Sequence, residues 1–509
     1  LAKVYSFGIL GLEAYPVTIE VDLSDSLPSM VIVGLPDNAV KESKERVRSA
    51  IRNSGYKFLP KRVTVNLSPA DIKKEGPSFD LAIALGILAA SQQIDCSRLK
   101  RFVILGELSL DGHVQPIHGA LPIALTIPQN KFPGLILPTV NAPEAILNNQ
   151  IKIYPVQTLA EAIHILQNPD AVVSFKPSPP SSEKEPQGPE IDFSDVKGQW
   201  HAKRGLEVAA AGGHNVLLIG PPGSGKTMLA RRITTILPDM DPQEALEATK
   251  IHSVMGLLPS DTGLLRHRPF RSPHHTASDI ALVGGGSIPR AGEVTLAHHG
   301  VLFLDELPEF NRNVLEALRQ PLEDHCITVS RAAKTMRFPA RFMLIGALNP
   351  CPCGWSGDPK KECHCSPYKI QKYISKISGP LLDRIDIHLE VPSLKTHELF
   401  SSQTPESSTA VKIRTTQARE VQKKRFQNLS IFCNAQMSPR HIRHHCPVTG
   451  ESQRLLKQAV EELGLSARTH DKILKIARTI ADLAGELSIL PEHIGEAIQY
   501  RSLDRGWWG

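Results

Sequence analysis

Short apolar runs bounded by turn residues alternate with stretches of helical periodicity along most of this chain. Lys61–Leu67 (KRVTVNL) and Arg101–Leu110 (RFVILGELSL) read as strands, the second followed by the turn Asp111–Gly112, and a helical pattern starts near Phe79. Further on, His214–Gly220 (HNVLLIG), Gly300–Glu306 (GVLFLDE) and Arg341–Pro350 (RFMLIGALNP) read as buried strands. Strands separated by helices predict an α/β fold with a doubly wound parallel sheet. From about Pro392 the period turns helical, in KIRTTQAREVQKKRF and RTHDKILKIARTIADLAG, which predicts a helical lid at the C-terminal end. Between the halves, 172–190 (VVSFKPSPPSSEKEPQGPE) is too poor in apolar residues to pack and reads as a linker. The expected division is therefore 1–171, a linker 172–190, a sheet core 191–391 with a cysteine-rich insertion at 351–365, and a lid 392–509.

Composition narrows the class. A chain of 509 residues is too long for one hydrophobic core, and 41% hydrophobic with 22% charged residues is ordinary for globular protein. The longest apolar stretch, Leu81–Ala90, is about half of the roughly 20 residues that a bilayer span requires. The first residues lack the apolar core of a signal peptide, so a cytoplasmic protein without a membrane partner is expected. A net charge of +6 permits binding to a polyanion without demanding it. Eight cysteines in a cytosolic chain argue for thiols or metal rather than disulfides.

The strongest chemical signal is Gly220-Pro221-Pro222-Gly223-Ser224-Gly225-Lys226-Thr227, which fits G-x-x-x-x-G-K-[ST] with a strand before it and a helix after it. Glycines let backbone N–H groups curl around phosphate oxygens, and the next helix adds its positive end. Lys226 is expected to neutralise the β and γ phosphates of ATP and the Thr227 hydroxyl to ligate Mg2+. In VLFLDE, Asp305 at the end of a buried strand suits the magnesium, and Glu306 suits a general base for the attacking water. Asn349, ending the next strand, can orient that water or simply form the turn before Pro350.

The strings VKGQWHAKRGLEVAAAGGHNVLLIGPPGSGKTMLA, RPFRSPHHTASDIALVGGG, HHGVLFLDELPEF and SGPLLDRIDIH resemble the magnesium-chelatase-related AAA+ family, closely its ComM/YifB branch. The likeness runs from LGLEAYPVTIEVDLS to LAGELSILPEHIGEAIQYR. It implies an AAA+ ring, usually a hexamer, with ATP between neighbouring subunits. For this branch it implies a DNA helicase that promotes branch migration during recombination of incoming DNA in natural transformation, with single-stranded and branched DNA and recombination proteins as partners. By the same resemblance Arg384 falls on the arginine finger, its alternative being a salt bridge with Asp383 or Asp386. Arg468 resembles a second sensor arginine, with Arg478 on the same helix as its rival. Val196–Gln199 resembles the segment lining the adenine pocket.

The N-terminal part resembles the proteolytic domain of Lon, an α+β fold. EGPSFD holds Ser78 at the nucleophile's place, and LGELSLDGHVQPIHGALPIA resembles the segment that brings the catalytic lysine. Between Gly119 and Ala124 the chain reads Ala-Leu-Pro-Ile, with no lysine. A serine without a base is a poor nucleophile, so Ser78 reads as a cap of the helix beginning at Phe79, and the domain as a non-proteolytic collar.

Two features remain. Cys351, Cys353, Cys363 and Cys365 offer four soft ligands suited to structural Zn2+, with His364 as a substitute for one sulfur and a bare reduced loop as the alternative. Ile327–Phe338 (ITVSRAAKTMRF) reads as a hairpin presenting Arg331, Lys334 and Arg337, and Arg266–His275 (RHRPFRSPHH) as a second basic loop with Arg268 and Arg271. Such cations can meet DNA phosphates without reading bases. The competing readings are the motor subunit of a magnesium-chelatase-like complex, an ATP-gated DNA-binding scaffold and an ATP-dependent protease.

Overall fold

A computed structural model describes residues 1–501 apart from 96, 149, 169–173, 177–190, 260–261, 287–288, 332–333, 360, 395–404, 428, 430 and 464–465, and without the side chains of 330, 331, 334 and 463. The chain divides into two compact units, Leu1–Glu185 with Ala245–Leu265, and Pro186–Glu244 with Arg266–Gly509. The continuous stretch 191–391 expected from sequence is thus interrupted, because Ala245–Leu265 packs with the first unit. Most of the expected linker lies outside the described residues; within it, Phe175 N donates to Ile153 O at 2.8 Å.

In the first unit, β1 (Ala2–Leu10), β2 (Glu13–Ser24), β3 (Ser29–Val33), β4 (Arg62–Ser68), β5 (Phe102–Ile104), β6 (Gly134–Pro138) and β7 (Lys152–Val156) form a sheet in the order β3-β4-β2-β1-β5-β6-β7. β2 runs antiparallel to β1 and β4, and the other pairings are parallel. Helix α1 (Asn38–Asn53) starts at Asp37, whose carboxylate accepts Val40 N at 2.8 Å. It turns Val40, Val47, Ala50 and Ile51 inward at helical spacing. Helix α2 (Asp80–Ala90) is apolar nearly all round and is buried on every side against the sheet.

Ser78 does not cap α2. The cap position is Phe79, with no side-chain bond, and the open Leu81 N–H is taken by Gly106 O at 3.0 Å instead. The main chain of the adjoining loop does what a hydroxyl would have done. Where Lon-like chains carry a lysine, a short helix (Ala120–Thr126) buries Leu121 completely.

Ala245–Leu265 joins this unit through a buried carboxylate. Glu144 accepts Ser253 Oγ, Leu121 N at 3.3 Å and Asn141 Nδ2 at 2.7 Å, and Gly119 N donates to Ser253 O at 3.0 Å. A buried acid held this way locks a segment in one place, since removing a partner strands a desolvated polar group.

The second unit is built on β8 (Val216–Ile219), β9 (Phe270–Arg271), β10 (Val301–Leu304), β13 (Met343–Leu348) and β14 (Ile387–Glu390), all parallel in the order β9-β10-β13-β8-β14. Between β10 and β13 lies the antiparallel hairpin of β11 (Cys326–Arg331) and β12 (Lys334–Pro339), as the sequence predicts. β8 is flanked by β13 and β14, so the loop after it opens at the carboxyl end of an inner strand, where parallel sheets bind ligands. The C-terminal helices share this core: Ile473, Ile476, Ala477 and Ile480 of the helix Ala467–Ala484 belong to one apolar cluster with Val216, Leu218, Val301 and Ile345.

Candidate functional site

Strand β8 ends at Ile219, and the loop 220–225 carries the chain into the helix Lys226–Ile236. Gly223 and Gly225 adopt left-handed φ of 76° and 97°, and a Cβ on either would meet nothing within 4 Å. The loop therefore curls around open space rather than around packed atoms. Ser224 Oγ is buried without a partner among the described residues. An open cradle with an orphaned hydroxyl fits a polyanion.

Lys226 is the electrostatic centre. It is buried, and its ammonium donates to Gly220 O at 2.7 Å, Pro221 O at 2.9 Å and Asn349 Oδ1 at 3.1 Å. Burial pushes its pKa down to about 8, and the Asp305 and Glu306 carboxylates offset this only in part. The contact gives Asn349 a role at the loop beyond forming a turn before Pro350.

Thr227 Oγ1 donates to Asp305 Oδ2 at 2.7 Å, while Asp305 Oδ1 accepts Glu306 N at 2.9 Å. A hydroxyl and a carboxylate in direct contact at the mouth of a phosphate loop are two oxygen donors of the kind Mg2+ takes. Glu306 follows with φ 52°, left-handed and rare for a residue with a Cβ. Its side chain is 56% exposed, and His275 Nδ1 lies 3.3 Å from its Oε2. Sequence reasoning missed His275.

Gln199, also left-handed at φ 55°, is buried, and its amide donates to Ser224 O at 3.3 Å and Pro392 O at 2.6 Å. It braces the loop against the segment after β14. Arg384 pairs with neither flanking acid. Its guanidinium reaches Glu323 and Pro380 O, and its Nε is buried without a partner among the described residues. On the helix Ala467–Ala484, Arg468 is exposed in the first turn. Its rival Arg478 is buried, bonded to Asp482 at 3.0 Å and to Leu487 O at 2.7 Å, and so is fixed inside the helical segment.

The four cysteines converge. Cys351, Cys353 and Cys363 sulfurs lie 3.3–3.6 Å apart, and all four, with Cys365, are within 4.8 Å of one another. A tetrahedron with Zn–S arms of about 2.3 Å has edges of roughly 3.8 Å, so the set fits zinc. His364 is exposed and outside the group. Gly354, at φ 86°, turns the knuckle so tightly on the phosphate loop that a Cβ there would be 2.5 Å from Pro222 Cδ. The cysteine knuckle thus rests directly on the loop.

The basic candidates separate. Arg268 pairs with Glu244 at 2.8 Å and donates to Pro238 O and His299 O, each at 2.7 Å. Burial works to raise the Glu244 carboxyl, yet His299 and Arg268 hold it well below the usual carboxylate range. Arg271 makes a two-pronged bond with Glu293 at 2.6 and 2.8 Å. These two cations serve the fold, which is the reverse of the exposed basic loop expected from sequence. In the hairpin, Arg337 is exposed, with Nε 3.0 Å from Cys326 Sγ, and Arg331 stands opposite Lys334 in register; the side chains of these two lie outside the described residues.

Comparison with known proteins agrees with this geometry. A family model described as magnesium chelatase, subunit ChlI, matches residues 192–399, one described as subunit ChlI of Mg-chelatase matches 19–141, and one for the ChlI C-terminal part matches 405–501. The chain is 45% identical to the competence protein ComM of Haemophilus influenzae over 99% of its own length and 98% of that protein's. It is 44% identical to the uncharacterised protein YifB of Salmonella typhimurium, again over 99% and 98%. It is also 34% identical to Lon protease 2 of Bacillus subtilis over 25% of this chain and 23% of that one. Among the described residues no helix is long and apolar enough to cross a membrane.

Bound phosphate would raise the Lys226 pKa again, so binding above pH 8 takes up a proton. ATP affinity should be flat below about pH 8 and fall above it, by as much as about tenfold per pH unit. Lys226→Arg, which stays charged, should bind more weakly but lose the slope. Fluorescent-ATP titrations across that range check this; an affinity that does not change above pH 8 contradicts the buried-cation reading.

Proposed function

The chain belongs to the ComM/YifB branch of the magnesium-chelatase-related AAA+ ATPase family, and from that membership we propose that it is an ATP-driven DNA translocase. In this reading it is a helicase that promotes branch migration of recombining DNA during natural transformation. ATP is the substrate. Backbone N–H groups of 223–227 cradle its phosphates, and Lys226 neutralises the β and γ groups. Thr227 and Asp305 hold magnesium, which draws charge from the β and γ oxygens. Glu306 accepts a proton from the attacking water, and Asn349 orients that water. The observation that carries the reading is the Thr227–Asp305 contact beside a buried, carbonyl-held Lys226, with Glu306 one residue on.

Arg384 acts in trans on the nucleotide of a neighbouring copy in a ring, usually of six. Its buried, unpartnered Nε supports a role for a partner from outside the subunit. Arg468, exposed on the helical segment, serves as the second sensor. The hairpin with Arg331, Lys334 and Arg337 grips phosphates of single-stranded or branched DNA, while Arg268 and Arg271 are left out of that surface. Recombination proteins are its working partners, and competence in the name of the Haemophilus relative supports that setting. The Lon-like unit serves as a binding collar; with no lysine between Gly119 and Ala124, proteolysis is not part of the reading. A second reading, the motor of a magnesium-chelatase-like complex, is favoured by the descriptions of the family models. Stimulation of turnover by DNA separates the two.

Cys351, Cys353, Cys363 and Cys365 hold structural zinc that stiffens the knuckle against Pro222. Protein purified under reducing conditions should carry about one zinc per chain by elemental analysis. Joint Cys351→Ser and Cys363→Ser replacement should remove it and weaken ATP binding several-fold through the loop. A metal-free native protein with normal ATP affinity contradicts this.

Replacing Arg331, Lys334 and Arg337 by Ala should weaken binding to forked DNA about tenfold or more, flatten its salt dependence and abolish unwinding, with basal ATP turnover unchanged. Fluorescence anisotropy and a strand-displacement assay measure this. Unaltered affinity and unwinding would remove the hairpin from the DNA path.

A further inference from the structure

The segment expected to be a second DNA loop ends at the candidate base. Arg271 is fixed by Glu293, and β9 pairs with β10 so that Phe270 is abreast of Val301 and Arg271 of Leu302. Four residues further along both chains, His275 comes abreast of Glu306. The pairing is realised in space: His275 Nδ1 lies 3.3 Å from Glu306 Oε2. The imidazole is itself held. It lies against His274 with ring centres 4.1 Å apart and meets Phe310 edge-on at 6.4 Å, and His274 Nδ1 is 2.9 Å from Thr276 Oγ1.

Glu306 needs such support. Its main chain is fixed, with its N–H on Asp305 Oδ1 and its carbonyl accepting Glu309 N at 2.8 Å. Its carboxylate is more than half exposed, and His275 is the partner printed for it among the described residues. A free glutamate side chain samples several rotamers, and a general base must hold one. An imidazole N–H donated to one carboxylate oxygen fixes the rotamer and leaves the other oxygen to accept a proton.

Resting on the reading of Glu306 as the base of ATP hydrolysis, we propose that His275 is a positioning residue that holds the Glu306 carboxylate in its working rotamer. His275 touches neither substrate nor metal in this account; it acts through Glu306 alone. The sequence 271–275 is then a rigid arm that carries the edge strand of the sheet to the site of water attack.

His275→Ala should lower kcat for ATP about tenfold to a hundredfold while the affinity for ATP stays within about twofold. His275→Asn, which keeps a donor near the same place, should restore part of kcat. Single-turnover hydrolysis in the Glu306→Gln background should show little further loss on adding His275→Ala, because the two residues act as one unit. Equal kcat in His275→Ala and the unaltered protein overturns the proposal, and so does a full, additive loss in the double variant. If Glu306→Gln alone turns over ATP normally, the reading of Glu306 fails first. If Glu306→Gln is inactive while His275→Ala is fully active, only the role of His275 falls. Lost ATP binding in both His275 variants marks a structural residue and also overturns it.

Discussion

Keeping the Lys226 ammonium out of water is the constraint on which the second unit is built. A desolvated cation is costly, and here it is met only by two carbonyls and one amide oxygen, with carboxylates nearby. The geometry holds because the surrounding chain leaves it no other place. β8 delivers the loop at the end of an inner strand, and β13 ends where Asn349 can reach the ammonium. Gln199 ties the loop to the segment after β14, and the cysteine knuckle presses on Pro222 from the other side. A site so prepared is stabilised by the arrival of phosphate, and the same burial makes the cation's charge pH-sensitive near neutrality.

The other cations fall into two kinds. Arg268, Arg271, Arg425 and Arg478 are bonded to Glu244, Glu293 and Asp482, in part or wholly buried. Breaking a buried pair by removing one partner costs on the order of 3–5 kcal/mol, so these residues are committed to the fold. Arg337 and the hairpin positions 331 and 334 are not so committed, and a polyanion can be met there without dismantling the core. The net charge of +6 says little, because much of the positive charge is internal.

What could be read from sequence was chemistry confined to one loop or one strand end. The phosphate loop, Asp305 with Glu306, and the hairpin all follow from spacing over a few residues, and the cysteines meet because two short arms suffice. What could not be read depended on partners far along the chain. Nothing local in Ala245–Leu265 announces that Ser253 meets Glu144, and nothing in RHRPFRSPHH says that Glu244 and Glu293 consume its arginines. Ser78 looked like a helix cap until the loop at Gly106 supplied the missing acceptor. His275 was legible in principle, from the parallel register of β9 on β10, but only once their alignment was known.

The central claim is that ATP is cleaved between neighbouring copies of this chain, with Lys226 and Glu306 from one copy and Arg384 from the next, in the service of moving DNA. The most direct test is the rate of phosphate release per chain, followed as protein concentration rises, with and without single-stranded DNA. The account predicts that turnover per chain climbs steeply with concentration as rings assemble and rises further with DNA. A rate per chain that is independent of both concentration and DNA would contradict it.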